Sequence, residues 1–211
     1  TRRPGIPCSM AIDPETGFRV VLGLMFVGLG CIGIPHRLRA DRAGGSVSRS
    51  VDPRWFWICM ILVAPPVPLI CVAFLIEPRW ADFAMVEMPP WMRWLGAPVG
   101  LLGAGLFAWM FRHLGLNVTS TSMPRDKATL VTTGPYRWVR HPMYSAALVL
   151  LAATALLTAN WVVALSGTGV FALLAARSRV EERRLVEKFG DAYRAYQRRT
   201  GRFIPRVGRV R

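Results

Sequence analysis

The stretch Leu130-Val-Thr-Thr-Gly-Pro-Tyr-Arg-Trp-Val-Arg-His-Pro-Met-Tyr144 carries side chains suited to chemistry in this 211-residue chain. It sets Tyr136, Trp138, His141 and Tyr144 among Arg137 and Arg140, then enters an apolar run at Pro142. Proline suits the first turn of a helix, where its missing N–H has no partner to lose. The free N–H groups of such a helix start, together with its positive dipole end, can seat a carboxylate. Aromatic faces offer a stack for a flat ring or a π surface for a cation. The same residues also fit an interfacial aromatic belt with snorkelling arginines, and the residues alone leave both readings open.

A second polar stretch runs Arg177-Ser-Arg-Val-Glu-Glu-Arg-Arg-Leu185, followed by Phe189-Gly-Asp-Ala-Tyr-Arg-Ala-Tyr196. In a continuous helix Arg177, Glu181 and Leu185 share one face, and Glu182 lies about 100° round from it. An adjacent acidic pair amid so many arginines suits a positively charged partner. The alternative is that both glutamates pair with Arg183, Arg184 or Lys188 on a solvated face, where exposed pairs contribute at most ~1 kcal/mol each.

The elements that must hold these stretches are apolar. Hydrophobic residues make up 53% of the chain and charged residues 18%, with a mean hydropathy of +0.33. Apolar segments run over 17–34, 55–76, 91–110, 142–158 and 161–176. A membrane helix needs ~20 apolar residues, with a lower limit near ~17. The first three segments qualify, and the last two, separated by Ala159-Asn160, read as a tight helical hairpin. Pro65, Pro66 and Pro68 kink the second, which membrane helices tolerate where neighbours satisfy the freed carbonyls. The expected fold is all-α: a polytopic membrane bundle of about five transmembrane helices with a cytoplasmic C-terminal helical segment. Residues 1–114 form three N-terminal spans, and residues 115–211 form a catalytic region with the hairpin and the C-terminal segment.

Lys and Arg fall unevenly on the two sides of these spans. Of 27, 22 lie in stretches 36–54 and 111–141 and from Arg177 onward, against five at Arg2, Arg3, Arg19, Arg79 and Arg93. The positive-inside rule then puts the N-terminus outside and the basic tail in the cytoplasm, as in a bacterial inner membrane. Both polar stretches share the cytoplasmic side, and the hairpin brings them close.

Several other signals point away from further functions. The net charge of +15 flanks apolar spans and only two of the basic residues are lysines, so a rim facing anionic membrane lipids accounts for it without nucleic acid. Gly28-Leu-Gly-Cys-Ile-Gly33 fits a dinucleotide fingerprint, but inside an apolar span it reads as helix packing, as do Gly100, Gly103 and Gly105. Asn117-Val-Thr119 is a glycosylation sequon on the cytoplasmic side. His36, His113 and His141 lack ligand-type i,i+4 partners, so no metal site is expected. Cys8, Cys31, Cys59 and Cys71 show no metal spacing and read as small buried hydrophobes. No secretory cleavage pattern is evident near Thr1.

Gly134-Pro-Tyr-Arg-Trp-Val-Arg-His-Pro-Met-Tyr144, followed by Glu181-Glu-Arg-Arg-Leu185 and Phe189-Gly-Asp-Ala-Tyr193, resembles the isoprenylcysteine carboxyl methyltransferase family, which is related to the phospholipid N-methyltransferases. The resemblance covers roughly residues 115–205. It implies a bundle of membrane helices whose cytoplasmic S-adenosylmethionine pocket is closed over by the C-terminal segment. By that resemblance Leu130, Val131 and Tyr136 line the pocket, and His141, Pro142, Met143 and Tyr144 complete its wall. Glu181 holds a polar end of the cofactor, while Arg177, with Arg140, faces the acceptor. Members that methylate prenylcysteine often carry a His shortly before the Leu-Val pair, where this chain has Lys127, Ala128 and Thr129. The implied acceptor is therefore any lipid-like or apolar small molecule presenting a carboxylate, thiol or amine. The rival readings are a sterol-reductase-type membrane enzyme using NADPH, which would need several more spans, and a non-enzymatic membrane protein.

Overall fold

The computed structural model describes residues 13–42, 53–115 and 129–206. The sequon Asn117–Thr119, Lys127, Ala128, Cys8 and the outermost arginines lie outside the described residues. The described chain forms α1 (Pro14–Arg42), α2 (Arg54–Val63), α3 (Pro66–Ile76), α4 (Pro90–Trp94), α5 (Gly96–Leu114), α6 (Pro142–Thr158), α7 (Trp161–Phe189) and α8 (Asp191–Arg199). Two 3-10 turns, Pro78–Ala84 and Gly134–Arg137, join them. Among the described residues strand-like pairing is confined to the isolated bridges Met85–Asn160 and Val139–Gly201. The protein is an all-α polytopic membrane bundle, as its apolar segments predict.

Pro14–Arg39, Arg54–Ile76, Pro90–Leu114 and Trp161–Phe189 are long and apolar enough to cross a membrane. The fifth apolar helix, α6, has 17 residues. At 1.5 Å per residue it rises only ~26 Å against a hydrocarbon core of ~30 Å. The second span divides where its prolines remove donors: Ala64 N–H closes α2 on the Met60 carbonyl, and α3 begins at Pro66. The helix of the last span does not stop where its apolar run ends near residue 176. It continues as one 29-residue helix to Phe189, carrying the polar Arg177–Phe189 extension with it.

The α6–α7 hairpin closes through Ala159 in the left-handed region (φ 46°, ψ 41°). Asn160 caps α7, its side-chain oxygen accepting from the Val162 and Val163 N–H groups at 3.0 and 3.2 Å. Helix α5 lies along α6 on small residues. A Cβ on Gly103 would stand 2.8 Å from Leu150 Cγ, and one on Gly96 would stand 2.7 Å from Leu157 Cγ. Gly100 packs likewise against Met25 and Ala153. The packing expectation is corrected for Gly28 and Gly105, which have nothing within 4 Å, and for Gly30, which meets only Ile34 of its own helix. Of the three fingerprint glycines, Gly33 alone packs against another helix, at Phe107 and Phe111 of α5.

The core joins Phe18 and Leu22 of α1, Ile70, Cys71 and Phe74 of α3, Ala81, Leu157 and Val163. At this end of the bundle Arg93 is buried over the Phe18 ring, 4.0 Å from its centroid. Its guanidinium pairs with Glu15 and donates to the Leu157 carbonyl at 2.9 Å. Arg19 donates to the Leu75 and Ile76 carbonyls at the C-terminus of α3. The outward faces carry exposed Leu24, Ile61, Leu62, Leu69, Leu101 and Leu165. Apolar side chains on the outside of an apolar bundle are the surface a bilayer covers. Cys31 also lies on that exposed side, correcting the expectation of burial, whereas Cys71 is in the core.

Candidate functional site

The site forms at the opposite end, where the start of α6 meets the polar extension of α7. Gly134 opens the approach with φ 59°, and a Cβ there would collide with the His113 ring of α5. Only glycine meets both demands without cost. The Gly134–Arg137 turn leads to Val139, Arg140 and His141, and Pro142 then occupies the first turn of α6.

Tyr144 is 3% exposed, and its hydroxyl donates to Glu181 Oε2 at 3.1 Å across 37 residues of chain. The His141 ring stacks on Tyr144, with centroids 5.3 Å apart and planes 4° from parallel. Its Nδ1 lies 3.6 Å from Glu181 Oε2, and its Nε2 lies 3.2 Å from Glu182 Oε1. Tyr136 belongs to the same cluster. Burial, then the neighbouring Glu181 carboxylate, then Tyr196 push its phenol up, so it stays neutral. The Tyr136 carbonyl accepts from the Tyr196 hydroxyl at 2.6 Å.

The structure thus brings Tyr136, His141, Pro142, Tyr144 and Glu181 together. Leu130 and Val131 are half-buried just ahead of the Gly134 turn. Met143 is 37% exposed and Trp138 52%, so these two face outward from the buried wall. Arg177 is buried one helical turn before Glu181, its guanidinium carbon 5.2 Å from the centre of the Phe56 ring on α2.

Arg140 points instead at the C-terminal segment. Its guanidinium donates to Glu182 Oε1 at 2.8 Å, to the Gln197 carbonyl at 3.1 Å and to the Thr200 carbonyl. Glu182 is the residue that sequence reasoning missed. Its side chain is 6% exposed and takes hydrogen bonds from Arg140, His141, Gln197 at 3.3 Å and Arg202 at 2.8 Å. The pairing with Arg183, Arg184 or Lys188 on a solvated face is therefore not what Glu182 does. The carboxylate stands on the polar extension of α7, beyond the apolar span. Burial alone would raise its pKa, but hydrogen bonds from His141, Arg202 and Arg140 outweigh that and hold it well below the usual carboxylate range.

Beyond α8 the chain returns as a strap across this cluster. Arg140 and His141 N–H groups donate to the Gly201 and Arg202 carbonyls at 2.9 and 3.0 Å, and Gly201 N–H donates to Trp138. Ser145 Oγ donates to the Phe203 carbonyl at 2.6 Å, and the Phe203 ring leans on His141, Tyr144 and Phe171. The wall of aromatic faces, one half-exposed carboxylate and one buried arginine nearby can receive a cationic, partly aromatic ligand. An open cleft of about 430 Å³ adjoins the cluster between α7 and α8, lined in part by Arg179, Glu182, Arg183, Gln197 and Arg202; Tyr144, His141 and Glu181 do not line it.

Comparison with known proteins points to a family and a fold. A family model described as phospholipid methyltransferase matches residues 91–192. A methanethiol S-methyltransferase of Pseudomonas deceptionensis is 36% identical over 215 residues, covering 97% of this chain and 80% of that protein. Methanethiol S-methyltransferase 1 of Bradyrhizobium diazoefficiens is 34% identical over 82 residues, or 39% of this chain and 27% of that one. Among solved structures, the eukaryotic intramembrane Ras methyltransferase ICMT (isoprenylcysteine carboxyl methyltransferase) matches with a TM-score of 0.56. At 18% identity, over 94% of this chain and 70% of that one, this likeness is one of fold.

Proposed function

The chain belongs to the family of membrane methyltransferases that groups the phospholipid and isoprenylcysteine carboxyl methyltransferases, and from that premise we propose that it methylates a small thiol with S-adenosylmethionine at the cytoplasmic face of a bacterial inner membrane. The observation that carries the reading is the junction of Tyr144 with Glu181, stacked against His141, at one end of the bundle.

The residues present fit the cofactor's chemistry. S-adenosylmethionine, when bound, supplies an activated methyl group on a sulfonium and carries an ammonium and a flat adenine ring. Glu181, 30% exposed at its side chain, offers a carboxylate for the ammonium. Half-buried Tyr136 and Phe203, beside the packed His141–Tyr144 stack, offer aromatic surface for the ring and the sulfonium, favouring a charged ligand over its neutral product. Leu130, Val131 and Pro142 would complete the enclosure, with Met143 at its outward edge. Arg177 stands one turn away, where it attracts an anionic acceptor such as a thiolate. Held by these residues, the cofactor would supply the methyl group to the acceptor sulfur, and the thiol proton would pass to solvent. The protein's part is to align the two sulfurs and exclude water, an effect of up to ~7–11 kcal/mol.

The Pseudomonas relative, a methanethiol S-methyltransferase that aligns along nearly the whole chain, supports a small-thiol acceptor. The absence of His before Leu130-Val131 weighs against a prenylcysteine acceptor. The excess of arginine at the site end supports its cytoplasmic orientation, with the N-terminus outside. The test is methyl transfer from labelled S-adenosylmethionine by the purified chain, offering methanethiol, a prenylcysteine analogue and phosphatidylethanolamine in parallel. The reading expects volatile labelled thioether from the thiol alone. Label in the prenylcysteine or phospholipid product instead would overturn the acceptor assignment, and no transfer to any of them would overturn the activity.

A further inference from the structure

We propose that Glu182 is a positioning residue for methyl transfer: its buried carboxylate locks the C-terminal strap Thr200–Phe203 onto the His141–Tyr144 wall. This rests on the cofactor reading above, and assigns a part to a residue outside the binding set. The geometry is that of a hub. One carboxylate ties Arg140 and His141 ahead of α6, Gln197 of α8 and Arg202 of the strap, spanning 42, 41, 15 and 20 residues of chain. Arg140 extends the tie by donating to the Gln197 and Thr200 carbonyls. The strap then pairs with the wall through Gly201 and Arg202, and its Phe203 covers the Tyr144 and His141 rings.

Glu182 thereby does two things for the neighbouring site. Through His141 Nε2 it fixes the ring that stacks on Tyr144. Through Arg202 it holds down the segment that carries Phe203. Gly201 is the point at which the strap turns tightly, since a Cβ there would collide with the Ile204 carbonyl. Hydrogen bonds to a charged group are among the stronger intramolecular contacts, so a single carboxylate suffices to hold a short strap. Weakening the hub should loosen the grip on the cofactor far more than it changes the chemical step.

The experiment compares the wild-type chain with Arg202→Gln, Arg202→Lys and Glu182→Gln. It reads S-adenosylhomocysteine affinity by calorimetry, KM and kcat, and hydrogen exchange at the Arg140, His141 and Gly201 amides. Arg202 is chosen because its side chain is one-third exposed and its loss leaves Glu182 still paired with Arg140. The expected result for Arg202→Gln is about a tenfold loss of cofactor affinity and a matching rise in KM, with kcat within about twofold and exchange faster at all three amides. Arg202→Lys should restore most of the affinity, and Glu182→Gln should show the larger loss. Wild-type affinity and exchange in folded Arg202→Gln and Glu182→Gln would overturn the proposal. If the wild-type chain binds no S-adenosylhomocysteine, the cofactor reading fails by itself. The exchange arm then decides alone whether Glu182 locks the strap.

Discussion

Tyr144 and Glu181 define the site at the scale of single residues, because each gives the other a direction. The Tyr144 hydroxyl donates to Glu181 Oε2 from a fully packed ring. Tyr144→Phe should weaken S-adenosylhomocysteine binding by about tenfold to a hundredfold, the scale of one hydrogen bond to a charged group, and calorimetry reads it directly. Glu182 allows a prediction in pH. Its folded-state pKa is depressed, so its stabilising contribution is fully present above the unfolded carboxylate value of 4.5 and is lost as pH falls below it toward the lower folded value. Exchange protection of the Gly201 and Arg202 region should therefore hold steady from pH 7 to about 4.5 and decline below, and Glu182→Gln should flatten that decline. Glu181 was singled out through the family resemblance, its spacing from Arg177 adding only that the two share one helix face. Glu182 was not: its partners lie far along the chain at Arg140 and Arg202, and no local periodicity records them.

At the scale of elements, the hairpin and the glycine seam set the distance between the two halves of the site. The Ala159-Asn160 break between apolar runs announces the hairpin, and the left-handed Ala159 with its Asn160 cap realises it. The length of α7 was less visible. An apolar count ends it at Ala176, but hydrogen bonding carries the helix through a charged stretch to Phe189, where contacts with Arg140, His141 and Tyr144 support it. The glycines divide by what faces them, which spacing does not reveal. Gly96→Val should destabilise the protein by about 1–3 kcal/mol, because the added carbons meet Leu157 Cγ and the Ala153 carbonyl. Gly105→Ala, with open space around it, should leave thermal stability unchanged or slightly raised. Detergent thermal melts of the two variants side by side check both.

At the scale of the whole molecule, one end is fastened by charge buried among apolar groups and the other holds the proposed site. Arg93, held by Glu15, Leu157 and the Phe18 ring, ties α1, α4 and α6 together away from the site. Arg93→Ala should therefore lower stability by about 3 kcal/mol, leaving a partly buried carboxylate unpaired, while KM for the acceptor stays near its wild-type value. The orientation has its own test. In intact cells a membrane-impermeant maleimide should label Glu87→Cys, on the Arg93 side, and spare Arg194→Cys, on α8, in a background without native cysteines. The reverse labelling would place the site outside. Fold class was readable from the apolar runs, and the polar islands mark the region where the site is proposed; the Arg93 clamp was not readable, since a lone arginine between spans looks like any flanking charge.

The central claim is that the His141–Tyr144 wall and Glu181 form a cofactor pocket, and its most direct test is calorimetric titration of the detergent-purified chain with S-adenosylhomocysteine beside a Tyr144→Ala, Glu181→Ala double variant. The account predicts saturable one-site binding to the wild type, and a loss of at least about a hundredfold in a variant that still melts cooperatively. Equal affinity in the two proteins, or no binding by the folded wild type, would contradict it.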